Sequence, residues 1–151
     1  MLKEIFSIKS EGKTIGITAS TFDLLHAGHC AMLSEAKAKC DYLIVALMSD
    51  PTIDRPDTKN KPVQTMFERW VQLASLSSVD MIVPYETEVE LVDMLKLIQP
   101  DIRIIGEEYK GTNFTGHDIE DIENYYNARE HSFSTSNLRE RVTIANSNKE
   151  K

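Results

Sequence analysis

Apolar positions along this 151-residue chain follow two alternating patterns. Short continuous apolar runs, rich in β-branched residues and bounded by polar or turn-forming residues, are typical of buried strands. They predict strands at residues 14–19, 41–48, 79–83 and 102–105. Between these runs, apolar residues recur every three or four positions, as on one face of a helix. Strands that alternate with helices predict an α/β fold, in which a parallel sheet is covered by helices on both faces.

Helical spacing predicts helices at residues 27–39, from 66 onward, at 86–99 and at 138–142. The second of these begins at a capping-box pattern, in which Thr65 is followed three residues later by Glu68. One face of this predicted helix is apolar, Arg69 lies beside that face, and its members are Met66, Phe67, Trp70, Val71 and Ala74. The capping residues at 134–137 indicate where the last helix starts.

Three segments remain open. Residues 1–12 form an N-terminal extension that could be an added strand, a short helix or a loose arm. Residues 118–126 could form a helix, or 122–126 could supply the last strand. Residues 146–151 are polar and are predicted to fray. The sequence contains no internal repeat and no linker, so residues 1–151 predict a single domain.

Composition narrows the classes of function. Hydrophobic residues make up 41% and charged residues 27% of the chain, which is ordinary for a globular protein. The net charge of −7 argues against a nucleic-acid partner, but a few cations in one cleft can still bind a small phosphorylated ligand. No apolar run approaches the roughly 20 residues that would insert into a membrane, and charges interrupt the stretch where a signal peptide would be apolar. Two cysteines make no disulfide framework, so a cytoplasmic setting is expected.

Candidate chemistry lies where the first predicted strand gives way to the first helix. The N-terminus of a helix exposes backbone N–H groups and a positive dipole end, which suits phosphate. His26 and His29 would face one side of this opening, and Gly28 would let a ligand approach the backbone. A zinc site is an alternative, but it needs three or four ligands and the other histidines lie far along the chain. The sequence lacks GxGxxG, which argues against a dinucleotide-binding Rossmann domain.

The stretch from Thr21 to His29, Thr-Phe-Asp-Leu-Leu-His-Ala-Gly-His, resembles the signature of the HxGH nucleotidyltransferase superfamily. It is most similar to the small cytidylyltransferases typified by glycerol-3-phosphate cytidylyltransferase. It is also close to the adenylyltransferases that act on heptose phosphates. The resemblance runs over most of the chain and implies a three-layer, Rossmann-like nucleotidyltransferase fold. In the implied reaction, a substrate phosphate attacks the α-phosphorus of a nucleoside triphosphate and pyrophosphate leaves in line.

The resemblance also assigns site residues. The implied catalytic residues are His26, His29, Lys61 and Arg129. The implied nucleotide-binding residues are Ser20, Thr21, Phe22, Asp23, Gly28, Gly106, Glu107, Ser134, Thr135 and Ser136. Arg69 matches an arginine that would bind the substrate. No side chain is expected to bind a metal, because Mg²⁺ or a similar ion would enter on the triphosphate.

Two single positions and one short stretch depart from the family pattern. Ser20 stands where glycine is common, and Ser136 stands where threonine is usual. The stretch 106–109, Gly-Glu-Glu-Tyr, stands where the cytidylyltransferases carry Gly-Asp-Asp-Trp near the nucleoside. Acidic residues remain there, so an acceptor for the amino group of a base is retained.

Three hypotheses follow from the resemblance. The first is transfer of a cytidylyl group from CTP to a phosphorylated alcohol, with glycerol 3-phosphate the best single acceptor. The second is adenylyl transfer to a sugar phosphate such as a heptose phosphate. The third is a nucleotide-binding regulatory subunit without activity. A homodimer is expected from the family.

Overall fold

A computed structural model describes residues 1–128 and 130–148 of the chain. Its strands are β1 (Ile15–Ser20), β2 (Tyr42–Met48), β3 (Met81–Tyr85), β4 (Ile102–Gly106) and β5 (Glu123–Asn127). Its helices are α1 (Leu2–Ser10), α2 (Ala27–Lys37), α3 (Met66–Ala74), α4 (Glu88–Ile98) and α5 (Thr135–Ser147). A 3₁₀ turn, Glu107–Tyr109, follows β4. Within the described ranges, no helix combines the length and the apolar character that crossing a membrane requires.

The strands form one parallel sheet in the order β3-β2-β1-β4-β5. The chain builds outward from β1 to β3 and then returns to place β4 on the other side of β1. Open α/β sheets bind ligands at such a reversal of strand order, outside the carboxyl ends of the strands. The predicted fold class, a three-layer Rossmann-like parallel sheet, is confirmed.

Helices cover both faces of the sheet, as the alternating patterns predict. On one face, α1 and α4 pack on β1 and β2, and the helical residues buried there are Ile5, Ile8, Leu91, Met94, Leu95 and Ile98. On the other face, α2 and α3 pack on β2 and β4, and the helical residues buried there are Leu33, Ala36 and Leu73. Strand β2 is buried on both faces from Leu43 to Met48, which explains its continuous apolar run.

The segments that the sequence left open have defined structure. The N-terminal residues form α1, which buries Ile5 and Ile8 against the sheet. Residues 123–127 form β5 and not part of a helix, because their backbone groups pair with β4 from Ile102 to Gly106. Helix α5 continues to Ser147, past residue 146 where fraying was predicted. Helix α4 begins at Glu88 and not at residue 86, because Thr87 caps it by accepting the Glu90 N–H.

The apolar face of α3 is not the surface that the helix buries. The buried residues of this helix are Arg69 and Leu73, and Met66 packs partly against the same core. Phe67 is 75% exposed, and Trp70 and Val71 are also exposed. Arg69 occupies a core position because its guanidinium group finds backbone carbonyls to bind at the strand ends. Apolar spacing therefore identified an apolar stripe on this helix but not the surface that the helix buries. The exposed stripe is available for self-association, and the homodimer stays a prediction.

Two substitutions on α3 test this orientation. We expect Leu73→Ala to lower the free energy of unfolding by about 2–5 kcal/mol, because Leu73 is fully buried and its loss leaves a cavity. Phe67→Ala removes a larger side chain from the same helix, yet we expect a change within about 0.5 kcal/mol in the monomer. Urea unfolding followed by circular dichroism measures both values. Equal losses in the two variants at low protein concentration would contradict the assignment.

Candidate active site

A cavity of about 380 Å³ opens at the carboxyl ends of the strands. The turn after β1, the N-terminus of α2 and the segment before α5 form one side of it. A smaller recess adjoins the cavity, and both are lined by Ser20, Thr21, His29, Pro51, Lys59 and Thr135. The cavity therefore occupies the position that the strand order predicts for a ligand.

The turn between β1 and α2 is held in an unusual conformation. Phe22 and Leu24 have φ angles of 49° and 51°, in the left-handed region that side chains disfavour. The Phe22 ring is buried, and the Leu24 N–H donates to Gln64 Oε1 at 2.7 Å. Packing and hydrogen bonding thus fix a strained turn, as is common where backbone geometry serves a site.

Two stacked imidazoles lie at the N-terminus of α2. His26 caps the helix, and its Nδ1 accepts the Gly28 N–H at 3.1 Å. Because Nδ1 accepts, the proton of the neutral ring lies on Nε2, where it can be donated to a ligand. The His29 ring stacks on His26 with centroids 3.8 Å apart, and Phe22 packs edge-on against His29. These donors and the helix N-terminus together suit a phosphate group.

Gly28 lies where three histidine rings approach one another. A Cβ atom at Gly28 would lie 2.7 Å from His131 Cε1 and 2.9 Å from His26 Cε1, which is too close for a real side chain. His131 lines the cavity, and its buried Nδ1 has no hydrogen-bond partner among the described residues. The absence of a side chain at Gly28 therefore allows a third imidazole to join the histidine pair.

The Asp23 carboxylate connects three segments beneath the site. It accepts the Val63 and Gln64 N–H groups, each at 2.9 Å, and the Arg139 Nη2–H at 2.7 Å. Burial alone would raise the pKa of Asp23, but these three donors outweigh it and hold the pKa below its ordinary value. Asp23 therefore stays ionised and ties α5 and the loop after β2 to the turn.

Arg69 connects the carboxyl ends of β1 and β2 through hydrogen bonds. Its guanidinium group donates to the carbonyl oxygens of Thr21, Met48, Ser49 and Gln64 at 2.6–3.3 Å. The side chain is 2% exposed and does not line the cavity. A substrate-binding role was expected for Arg69. Its N–H groups donate to backbone carbonyls and not into the cavity, so its placement fits a residue that positions the strand ends.

The cavity brings together most of the residues assigned from the family pattern. Those that line it are Ser20, Thr21, His26, Gly28, His29, Gly106, Ser134 and Thr135. Phe22 and Asp23 line the adjoining recess. Ser134 caps α5 by accepting the Asn137 N–H at 3.0 Å, as the sequence predicts.

Other assigned residues lie outside the cavity or outside the described chain. The Lys61 side chain is 80% exposed, and its Nζ is 3.9 Å from an Asp50 carboxylate oxygen. Glu107 and Ser136 are exposed and line neither the cavity nor the adjoining recess. Arg129 falls outside the residues that the structure describes. The roles expected for these residues stay predictions.

Sequence reasoning assigned no role to several polar cavity residues: Arg55, Lys59, Glu88, Arg103 and His131. Glu108 lines the cavity too, within the stretch 106–109 that the sequence places near the nucleoside. Lys59 lies two positions before Lys61 in the same charged loop, and nothing in the sequence shows which of the two faces the strand ends. Arg103 had a clear signal, because a charged residue inside a buried strand run demands a partner. For His131, the only signal in the sequence was its position three residues before Ser134.

The expected magnesium ion has no dedicated protein site in the described residues. No group of three or more His, Cys, Asp or Glu side chains among them is arranged to hold a metal ion. Glu88 lines the cavity but is paired with Arg55 at 2.8 Å. Mg²⁺ commonly binds through substrate phosphates and retained waters. Entry of Mg²⁺ on a triphosphate remains the prediction.

A parallel sheet of this order, with an HxGH turn at its switch point, defines the class of HxGH nucleotidyltransferases. The chain belongs to the cytidylyltransferase-like family, which matches residues 17–141. It is 39% identical over 111 residues to the bifunctional protein HldE of Caulobacter vibrioides and 40% identical over 108 residues to HldE of Acidiphilium cryptum. These matches cover 74% and 72% of the chain but 23% and 22% of the relatives. The chain thus spans less than a quarter of the length of these curated relatives.

Solved structures share the fold at lower sequence identity. A lipopolysaccharide core biosynthesis protein from Thermoplasma volcanium superposes with a TM-score of 0.56 at 20% identity, over 89% of this chain and 90% of the other. Pantothenate synthetase from Thermus thermophilus superposes with a TM-score of 0.62 at 14% identity, over 89% of this chain and 65% of the other. These likenesses support the architecture alone.

The Asp23 contacts predict a specific dependence of stability on pH. We expect Asp23→Asn to lower the free energy of unfolding at pH 7, because an amide cannot accept from all three donors. The pKa of Asp23 is lower in the folded state than its ordinary value of 3.8, so its contribution is present above that value and is lost as the pH falls through the folded pKa. In urea titrations, the difference between wild type and variant should therefore be largest above about pH 5 and should shrink as the pH falls through the ordinary value of 3.8 and below it. A difference that stays constant would contradict this role, and Asp57→Asn in the exposed loop serves as the control.

Gly28→Ala tests the crowding of the three histidines. Alanine normally stabilises a helix by about 1 kcal/mol relative to glycine. At Gly28 the added Cβ must displace His26 or His131, so we expect a folded variant whose Kd for ATP or CTP rises at least about tenfold. Titration calorimetry measures the Kd, and Ser34→Ala on the exposed side of α2 is the matched control. An unchanged Kd would show that the ring positions do not matter for nucleotide binding.

Proposed function

We propose that this protein transfers an adenylyl group from ATP to a sugar phosphate and releases pyrophosphate. The observation that carries the proposal is the 39–40% identity to HldE proteins. It agrees with the resemblance of the turn from Thr21 to His29 to that of adenylyltransferases acting on heptose phosphates. The cavity supplies what such a reaction needs, namely a site for two anions at the N-termini of two helices.

In the proposed reaction, a phosphate oxygen of the sugar phosphate attacks the α-phosphorus of ATP. A new P–O bond forms while the bond from the α-phosphorus to the bridging oxygen breaks, and pyrophosphate leaves with that electron pair. The protein forms no covalent bond. It positions the two anions and stabilises the charge that builds on the α-phosphate and the leaving group.

The cavity residues divide this work. His26, through its Nε2–H, and His29 would donate to phosphate oxygens beside the N-terminus of α2. Ser134 accepts the Asn137 N–H, so its own hydroxyl hydrogen can be donated to the β- or γ-phosphate at the N-terminus of α5. Lys59 lines both the cavity and the adjoining recess, and it would add a cation between the two anions. Lys61 and Arg129 are further cations expected to act here, and Lys61 would have to leave its exposed position.

Cytidylyl transfer from CTP to glycerol 3-phosphate is the second candidate. The stretch Gly106 to Tyr109 favours it, because Glu108 lines the cavity and could accept a hydrogen bond from the amino group of cytosine. Adenine also carries an exocyclic amino group, so this acceptor does not by itself discriminate between the two bases. An inactive nucleotide-binding subunit is disfavoured by the presence of both histidines and the hydroxyl groups of the α5 cap.

Pyrophosphate release tests the reaction and the nucleotide together. With Mg²⁺, we expect release from ATP and a sugar phosphate such as a heptose phosphate, and much less release from CTP. His29→Ala should lower kcat by about 10²–10³-fold, the usual effect of removing one preorganised donor. His117→Ala is the control, because His117 is exposed and lies outside the cavity.

The other outcomes are equally informative. Release from CTP and glycerol 3-phosphate alone would replace the proposal with the second candidate. Binding of either nucleotide without release on any acceptor would indicate a regulatory subunit. An effect of His117→Ala as large as that of His29→Ala would remove the specific role of the histidine pair.

A further inference from the structure

Arg103 is a buried arginine that lines the cavity and forms no close ion pair with the described residues. The side chain, in the middle of β4, is 7% exposed. In the part of the chain that the structure describes, no Asp or Glu oxygen lies within 4 Å of its guanidinium group. Burial lowers the pKa of Arg103, yet arginine remains charged at neutral pH. Glu88 attracts Arg103 from a longer distance but is itself paired with Arg55. A buried charge without a close carboxylate is costly for a fold, so its presence in a cavity points to a ligand.

The surroundings of Arg103 fix its orientation and leave most of its donors available. Nη1 donates to the Thr115 carbonyl, and the guanidinium group lies over the Phe114 ring, 5.1 Å from its centroid. Gly116 packs closely enough that a Cβ there would be 3.1 Å from Nη1. A guanidinium group has five N–H donors, and the contacts within the described residues use one of them. The others can bind a carboxylate or phosphate in the cavity.

Arg103 lies apart from the histidine turn. Its Cα is paired with Ile17 of β1, three residues before Ser20, which places it about 10 Å below the end of that strand. Because side chains alternate along a strand, Arg103 points to the face covered by α4, whereas its neighbours Ile102 and Ile104 pack on the α2 side. In the proposed reaction, His26 and His29 bind the phosphates of the nucleotide, so the phosphate that attacks it would lie beside them. Arg103 is therefore placed for a different anionic group.

The charges around Arg103 allow one more negative group. Arg55 and Glu88 line the same part of the cavity and neutralise each other in an ion pair of 2.8 Å. Adding Arg103 leaves this region with a net positive charge. The Arg55 Nε is buried and has no hydrogen-bond partner among the described residues, so a second donor is available there.

We propose that Arg103 binds a second anionic group of the acceptor, remote from the phosphate that attacks the nucleotide. This inference rests on the proposed function and narrows its substrate class. The acceptor is a sugar phosphate that carries a further phosphate or a carboxylate. Arg103 is then the residue that determines specificity for it.

Matched acceptors test the inference. With ATP and Mg²⁺, pyrophosphate release is measured for a hexose 1-phosphate, the corresponding 1,6-bisphosphate and the corresponding uronic acid 1-phosphate. The wild type should prefer at least one doubly anionic acceptor by about 10- to 100-fold in kcat/KM, mainly through KM. The preferred acceptor tells whether the second group is a phosphate or a carboxylate. Arg103→Met should abolish the preference, Arg103→Lys should keep part of it, and Arg141→Met on the exposed surface should keep all of it.

Binding without turnover separates failure of this inference from failure of the proposed function. If no acceptor releases pyrophosphate, titration calorimetry with the bisphosphate and the uronic acid phosphate still reports on Arg103. Binding that Arg103→Met weakens about tenfold or more, and Arg141→Met does not, would support the anion site even then. Equal use of all acceptors by the wild type, or an unchanged preference in a folded Arg103→Met variant, would overturn the inference. Should Arg103→Met unfold, as judged by circular dichroism, Arg103→Lys and Arg103→Gln carry the same test.

Discussion

The hydrogen bonds of one buried carboxylate hold the candidate active site together. Asp23 joins segments that are 40 and 116 residues apart in sequence, the loop before α3 and the side chain of Arg139 on α5. The turn that Asp23 belongs to is strained, because Phe22 and Leu24 have left-handed backbone angles. Tertiary contacts must compensate for that strain. The geometry of the histidine pair therefore depends on α5 being docked, although α5 contributes no buried residue to the core.

Crowding of the histidine rings around Gly28 is a second constraint on the site. The rings of His26, His29 and His131 can share the N-terminus of α2 because position 28 has no side chain. Close packing of donors in a partly buried pocket strengthens their interaction with phosphate, since less water screens them. Gly28 thus has a packing role as well as the permissive role that its place in the motif indicates.

Much of the fold could be predicted because burial on both faces leaves a direct trace in the sequence. Strands β1 and β2 are continuous apolar runs, and the turn after β1 carries its motif in consecutive residues. The buried face of α3 could not be predicted, because an exposed apolar stripe and a buried one have the same spacing. Arg69 can be buried only because backbone carbonyls accept its hydrogen bonds, and those contacts depend on the tertiary structure. The choice between Lys59 and Lys61 depends on the path of a loop, which no local pattern specifies. His131 reaches the site only through tertiary packing.

The buried charged residues near the cavity differ in how completely the protein satisfies them. Asp23 receives three donors, and Arg69 donates to four backbone carbonyls, so both charges serve the fold itself. Arg103 has one carbonyl and an aromatic ring. A fold can tolerate a buried charge when hydrogen bonds replace its lost hydration, and the described residues supply Arg103 with little of that replacement. Because it also lines the cavity, the missing partners are best supplied by a bound anion, which is why Arg103 and not Arg69 bears on acceptor choice.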